Sequence, residues 1–367
     1  MIPYILIFLL ASLMFYGVSD TAKNIKFPYA VFIVLFASFV GLRDMIGGFD
    51  VYIYGEMFET TRERLMAYEP FELGFRYYFL ILKMISENRY FMFFVTAFIV
   101  IIIQFNILRK HSKVVFFGLF IYFCKFSLMN FVYLRQFLAM CFIWFSLRFI
   151  IKRQLAYYCL CVFLAFNFHK SSILFFPIYF IYNMKFNTLK MLFILLGTLV
   201  IALSPLNMLL FSSLAESADN DKINLYVEAA TGAGTGINFF YFLEILIIIY
   251  LILKFRPRFY QTKYGTFILN GMFVYILVSA LALTNATFVR FGWYFFIFII
   301  IGMTYIYDYI EVRQQKKMFK NLTFLYFGIL YLRLVIVLDG GDFMPYKTFF
   351  QDFDRHGQFD WMEYRTR

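Results

Sequence analysis

Long apolar runs alternate along the chain with short polar connections, and most runs are apolar all round rather than along one stripe. A helix without a polar face is buried in protein or in lipid. Runs of this kind, near the roughly 20 residues that span a bilayer core, predict twelve spanning helices. They lie at about 2–18, 27–42, 89–108, 114–130, 131–151, 155–168, 171–184, 188–211, 237–255, 266–284, 287–308 and 321–338. The segment 71–85 differs, because Glu72, Arg76 and Lys83 recur at helical spacing. That pattern predicts a helix lying in the membrane interface rather than crossing it.

Composition fixes the solvent. The 367 residues are 63% hydrophobic and 24% aromatic, with a mean hydropathy of +0.74, more apolar surface than a soluble domain can hide. The net charge of +12 does not point to nucleic acid, since the basic residues fall in short clusters between apolar runs. With 71–85 kept on the surface, seventeen of them collect on one side, at Lys23 and Lys26, Arg109 to Lys113, Lys152 and Arg153, Lys185 and Lys190, Lys254 to Lys263, and Arg313 to Lys320. The opposite short loops hold little beyond Lys170 and Lys222, so the first side is expected to be cytoplasmic. The expected architecture is all-α and polytopic: a single bundle over 1–338, long outer segments at 43–88 and 212–236, and an outer tail over 339–367. With no soluble catalytic domain in the pattern, any site must be built by the bundle itself. The four cysteines, all inside apolar runs, read as small core residues, and the first apolar run reads as a retained helix.

The candidate chemistry gathers on the outer face. The hairpin from Asn130 to Pro177 brings Arg135 and His169 to one membrane side, although they are distant in sequence. Arg135 is expected about one turn inside an apolar helix, where an unpaired charge costs a few kcal/mol, so it needs an anion or must snorkel to the interface. His169 suits proton transfer near neutral pH, or simply anchors a helix end. The stretch Gly41 to Tyr54 places Arg43 at a membrane exit, then a Gly47–Gly48 turn, then Asp50 and Tyr54, side chains that often pair with sugar hydroxyls. Its plainer reading is a snorkelling arginine paired with Asp44 or Asp50. Arg290 and Tyr294 share a helix face in another outer-facing segment, and Tyr346 and Lys347 follow the last helix. Three arginines, Arg43, Arg135 and Arg290, entering from one side suit a phosphate-bearing ligand, because guanidinium forks match phosphate oxygens. The TGAGTG run at 231–236 lacks a preceding strand, and the sequons at Asn285 and Asn321 read as chance.

Taken together, Gly41-Leu42-Arg43 with Gly47, Gly48, Asp50 and Tyr54, then Leu134-Arg135-Gln136, Asn167-Phe168-His169, Arg290 with Tyr294, and Pro345-Tyr346 resemble the EpsG-like branch of Wzy-type polysaccharide polymerases in order and spacing. The resemblance implies a multi-pass bacterial inner-membrane glycosyltransferase that joins repeat units carried on undecaprenyl diphosphate, at the outer face. Donor and acceptor would both be lipid-linked oligosaccharide, and no cofactor or metal is implied. Membrane lipid is the surrounding partner, nucleic acid is not a partner, and a chain-length regulator is left open. Under this resemblance Arg43, Arg135 and Arg290 are expected to hold the diphosphate, and His169 to act as base with Asp50 orienting the acceptor. Tyr54, Gln136, Tyr294, Tyr346 and Lys347 are expected to contact sugar. Two rivals stand beside it. A flippase for lipid-linked oligosaccharide would line a path to both faces and carry internal repeats. A ligase moving finished polymer to another acceptor shares the same chemistry.

Overall fold

The computed structural model describes residues 1–18, 25–207, 239–284, 288–337 and 343–351. Among these residues the protein is helical throughout, and the one β-bridge is an isolated antiparallel pair between Arg43 and Thr348. Three helices are long and apolar enough to cross a membrane: α6 (Arg89–His111), α9 (Leu134–Ile151) and α16 (Arg313–Ile336). Seven further apolar helices are 10–17 residues long: α1 (Ile2–Gly17), α2 (Lys26–Gly41), α7 (Val115–Phe126), α10 (Leu155–Phe166), α11 (Thr188–Ala202), α13 (Gly265–Leu281) and α15 (Phe296–Tyr309). The 23-residue α12 (Phe239–Gln261) is the remaining long helix.

The expected twelve spans are therefore not all present as drawn. The predicted helix at 171–184 is a ten-residue 3₁₀ segment, Lys170–Tyr179, with Pro177 inside it. At roughly 2 Å per residue it covers about 20 Å, short of the roughly 30 Å hydrocarbon layer. The predicted helix at 114–130 ends at Phe126 and resumes as the single turn α8 (Met129–Val132). Asn130 supplies the reason: its amide donates to the Phe126 carbonyl at 2.7 Å, an alternative to continuing the helical ladder. The predicted helix at 287–308 likewise divides into α14 (Val289–Gly292) and α15. The 212–236 segment, the Asn285 sequon and most of the expected tail lie outside the described residues.

The described residues form two compact units, Met1–Phe145 with Leu164–His169 and Met303–Arg367, and Ser146–Phe163 with Lys170–Gly302. In the first unit α2 packs along α6, and α7 lies against α1 and α16. Aromatic rings join these helices: Phe8 stacks on Tyr331 at 5.2 Å and Phe15 on Phe117 at 5.3 Å. A buried polar chain braces the broken helix, with Tyr122 donating to Gln104 at 2.7 Å and the Gln104 amide to the Phe137 carbonyl at 3.0 Å. In the second unit α13 packs between α11 and α12. Asn270 on α13 donates to the carbonyls of Ile181 and Met184, and Tyr275 hydrogen-bonds the buried Glu244 of α12.

The expected polar loop at 43–88 is folded. It carries α3 (Phe49–Glu59), α4 (Arg62–Ala67) and α5 (Leu73–Lys83). At 1.5 Å per residue the 11 residues of α5 cover about 16 Å. Phe71, Phe75 and Phe79 form a buried aromatic core, with Phe75 and Phe79 ring centroids 4.4 Å apart and Phe58 edge-on to Phe79 at 5.1 Å. The buried Lys83 donates to the carbonyls of Phe58 and Thr60 at 2.7 Å each, placing a cation on the negative end of α3. Gly47 and Gly48 start this cap. Both have positive φ, 123° and 80°, and a Cβ at Gly47 would sit 2.9 Å from Val51.

Candidate functional site

Four residues of the first unit meet at one carboxylate. Glu72 is the residue before α5, Arg135 is the second residue of α9, His169 closes the end of α10, and Tyr54 lies on α3. The approach is close enough to demand glycine at position 74. A Cβ there would lie 2.8 Å from the Asn167 carbonyl oxygen and 3.1 Å from its carbon, while the Phe75 amide donates to that same carbonyl at 3.3 Å. The start of α5 is thus seated on the turn that carries His169.

Arg135 donates from Nη1 to the Glu72 carboxylate at 2.8 Å and to the Pro70 carbonyl at 2.7 Å, and from Nε to the Tyr54 hydroxyl at 3.3 Å. Its guanidinium also lies 5.2 Å from the Phe71 ring centroid. Nη2 has no hydrogen-bond partner among the described residues, and the side chain keeps 19% of its surface exposed. The anion that this arginine requires is therefore a carboxylate of the protein itself, and one edge of the fork remains to be used. Arg135 also sits at the start of α9 rather than a turn inside it, where the positive end of the helix dipole adds to its own charge.

The second oxygen of Glu72 faces His169, 3.7 Å from Nδ1. That distance is an electrostatic contact longer than a hydrogen bond. The imidazole is 29% exposed, whereas Glu72 is 9% exposed. Burial alone would raise the Glu72 carboxyl; Arg135 and then His169 outweigh it and hold the group below its ordinary value. Tyr54 is the opposite case. Burial pushes its phenol up to about 12, with Arg135 pulling down and the nearby Asp50 charge pushing up. Tyr54 is therefore a protonated hydroxyl at neutral pH. Asp50, one turn before Tyr54 in the first turn of α3, is half-buried and makes no hydrogen bond or ion pair among the described residues.

Arg43 is placed otherwise than expected. It is fully buried, donating to the carbonyls of Ile46 at 3.3 Å, Val40 at 2.8 Å and Phe131, and it lies between the rings of Phe93 and Phe131 at 4.5 and 5.1 Å. The guanidinium ties the end of α2 to the 43–48 turn and α8, and no surface remains for a diphosphate. The expectation that Arg43 grips ligand is corrected on that ground. Tyr346 is half-buried, donates to the Phe39 carbonyl at 2.8 Å and stacks on the Phe39 ring at 4.9 Å. The Lys347 carbonyl accepts from the Asp44 amide at 3.0 Å. The 343–351 segment thus laces to residues 42–44 by its backbone. Gln136, beside Arg135, is buried.

In the second unit Tyr294 is fully buried and its hydroxyl pairs with Ser171 Oγ at 3.0 Å, which leaves it unsuited to the expected contact with sugar. Arg290 belongs to the single-turn α14 of that unit. The residue that sequence reading missed is Glu72, taken only as the polar start of an interfacial helix. An arginine entering an apolar bundle calls for an acid, but the 43–88 segment holds eight, and nothing in their spacing singles out this one.

These features define a class of protein: a helical membrane protein whose first unit holds a largely buried cluster of arginine, carboxylate and imidazole beside a small folded cap. The EpsG family model matches residues 26–348, most of the chain, and the protein belongs to the EpsG family, a family of Wzy-like polymerases. No curated protein and no solved structure matches it.

Proposed function

We propose that the protein is a polysaccharide polymerase that joins oligosaccharide repeat units carried on undecaprenyl diphosphate, working at the outer face of the bacterial cytoplasmic membrane. Family membership supports a polymerase-related role, and the observation that carries the finer reading is Arg135. Its Nε and Nη1 are fixed by three protein oxygens while Nη2 has no hydrogen-bond partner among the described residues, so the guanidinium is oriented in advance toward an incoming anion. A phosphate oxygen of the donor diphosphate is the ligand that fits. The acceptor hydroxyl loses its proton to His169, its oxygen bonds the donor anomeric carbon, and the bond to the diphosphate breaks with the electron pair leaving on phosphate. Asp50, a carboxylate without a hydrogen bond or ion pair among the described residues, orients the acceptor sugar, and Tyr54 offers it a protonated hydroxyl. This reading is carried by the first unit and does not call on Arg43, Tyr294 or Tyr346.

The test is a gel of surface polysaccharide from a strain lacking this gene. Loss of the ladder with retention of one-repeat species supports polymerisation. Loss of all surface repeat units points to a flippase, and intact polymer that stays on its lipid carrier points to a ligase.

A further inference from the structure

Glu72 has no part in the reaction as written so far, yet it touches both Arg135 and His169. One oxygen accepts from Arg135 Nη1 at 2.8 Å, and the other lies 3.7 Å from His169 Nδ1. A carboxylate facing Nδ1 favours the tautomer with its proton there, which leaves Nε2 as the basic nitrogen. Hydrogen bonds of catalytic pairs are commonly long before substrate binds and tighten in the complex. A gap of 3.7 Å between groups on two different elements is of that kind.

We propose that Glu72 is the positioning residue for His169: it holds the proton on Nδ1, presents Nε2 to the acceptor hydroxyl, and stabilises the imidazolium formed when that hydroxyl gives up its proton. The inference rests on the polymerase reading. It adds to that reading a two-residue device in which Glu72 never touches substrate. In the step, the acceptor O–H bond breaks and its proton passes to Nε2 while the new C–O bond forms. The diphosphate departs with the electron pair of the old bond, and the imidazolium later releases its proton to water. Arg135 on α9 and Tyr54 on α3 are charged or titratable groups beside Glu72, and Asp50 on α3 acts on Tyr54.

The hydrogen bonds that anchor Arg135 do not require the charge of Glu72, although its ion pair does. A glutamine at 72 still accepts from Nη1, and the Pro70 carbonyl and Tyr54 hydroxyl are untouched. Glu72→Gln therefore keeps the hydrogen-bond frame of Arg135 but removes a charge felt by Arg135 and His169 alike, and the His169→Gln background separates the two effects. The experiment uses full-length protein in proteoliposomes, supplied with lipid-linked oligosaccharide extracted from the gene-deleted strain, with initial rates of chain extension normalised to monodisperse protein. Because a general base contributes roughly 10²–10⁴-fold, Glu72→Gln is expected to lower the rate at pH 7 at least tenfold. Removing the negative charge disfavours imidazolium, so the acidic limb of the pH–rate profile should move to lower pH. In a His169→Gln background the same substitution should cost less than threefold, since the two act as a unit. Additive losses, or an unmoved acidic limb, overturn the assignment and leave Glu72 a structural contact. Should Glu72→Gln fail to insert, Glu72→Asp replaces it in the same cycle; it keeps the charge but shortens the reach, so a rate loss that is additive with His169→Gln overturns the assignment and a non-additive one supports it. Absence of polymer from the wild-type protein under these conditions is a different result, because it removes the polymerase reading itself.

Discussion

Arg135→Lys separates charge from shape at the cluster. Lysine keeps a cation within reach of Glu72 but offers one ammonium where arginine offers a planar fork, so it cannot donate at once to Glu72, Pro70 and Tyr54 and still present a fixed donor outward. Protein stability should hold, because Glu72 keeps a counter-ion. Activity should not. A hydrogen bond to a charged group is worth about 1.5–3 kcal/mol, so losing the oriented contact to diphosphate predicts a rate about 10- to 100-fold lower. Arg135→Ala is a different perturbation. It leaves a carboxylate that is 9% exposed without its cation, and orphaning one member of a buried pair costs roughly 3–5 kcal/mol. The low end applies here, since Arg135 itself is 19% exposed. The alanine variant should lose both folded protein and activity, the lysine variant activity alone. The assay is the initial rate of polymer formation in proteoliposomes, alongside thermal melting in detergent. An Arg135→Lys rate within threefold of wild type, at equal folded protein, would remove Arg135 from the ligand grip.

Gly74→Ala should lower the melting temperature, because overpacking against the Asn167 backbone costs roughly 1–3 kcal/mol and exceeds the gain of about 1 kcal/mol from alanine's helix propensity; a raised melting temperature refutes the close seating of α5 on the His169 turn. The Glu72 carboxyl is held below its ordinary 4.5, so the stabilisation it contributes is fully present above that pH and is lost as pH falls through the lower folded value. Glu72→Gln should therefore flatten the acid side of a melting-temperature profile between wild type and variant while leaving the neutral side parallel. His169→Gln should reduce the initial polymerisation rate more than Asp50→Asn, and the reverse order would exchange base and orienting group. Impermeant cysteine labelling should mark position 50 or 169 from outside and spare 110, 152 and 316; outward labelling at 110 or 152 inverts the expected topology.

What was legible in the sequence follows from the physics of each feature. Apolar runs report burial directly, and most of the predicted helices stand where the runs are. Breaks depend on single side chains competing with the backbone, as Asn130 does with the Phe126 carbonyl and Pro177 does by withholding a donor, and hydropathy is blind to both. The approach of Arg135 and His169 to one site could be anticipated because a hairpin returns the chain to its starting side. The role of Arg43 could not. Whether a guanidinium faces ligand or fills itself with backbone carbonyls depends on how α8 packs against the 43–48 turn, a long-range contact with no local signature. Glu72 was hidden for the same reason: it is recognised by what approaches it from α9 and α10, not by its neighbours in sequence.

A carboxylate beside a diphosphate looks like a poor choice, since it repels the substrate that Arg135 is meant to hold. The proposed proton path resolves this. Before reaction the cluster carries Arg135 and Glu72 as a neutral pair with a neutral imidazole, and its attraction for the donor is weak. As the acceptor proton reaches His169, the cluster gains one positive charge at the moment when negative charge gathers on the departing phosphate. Glu72 makes that gain less costly, because imidazolium forms next to an anion already fixed by a second element. The electrostatics are then more favourable to the transition state than to the bound substrate, the condition for accelerating the chemical step rather than merely tightening binding. A site built from bare arginines would do the reverse, gripping undecaprenyl diphosphate after the bond has broken and slowing its release. On this argument the useful feature of the cluster is that its charge changes during the reaction, and Glu72 is the residue that permits the change.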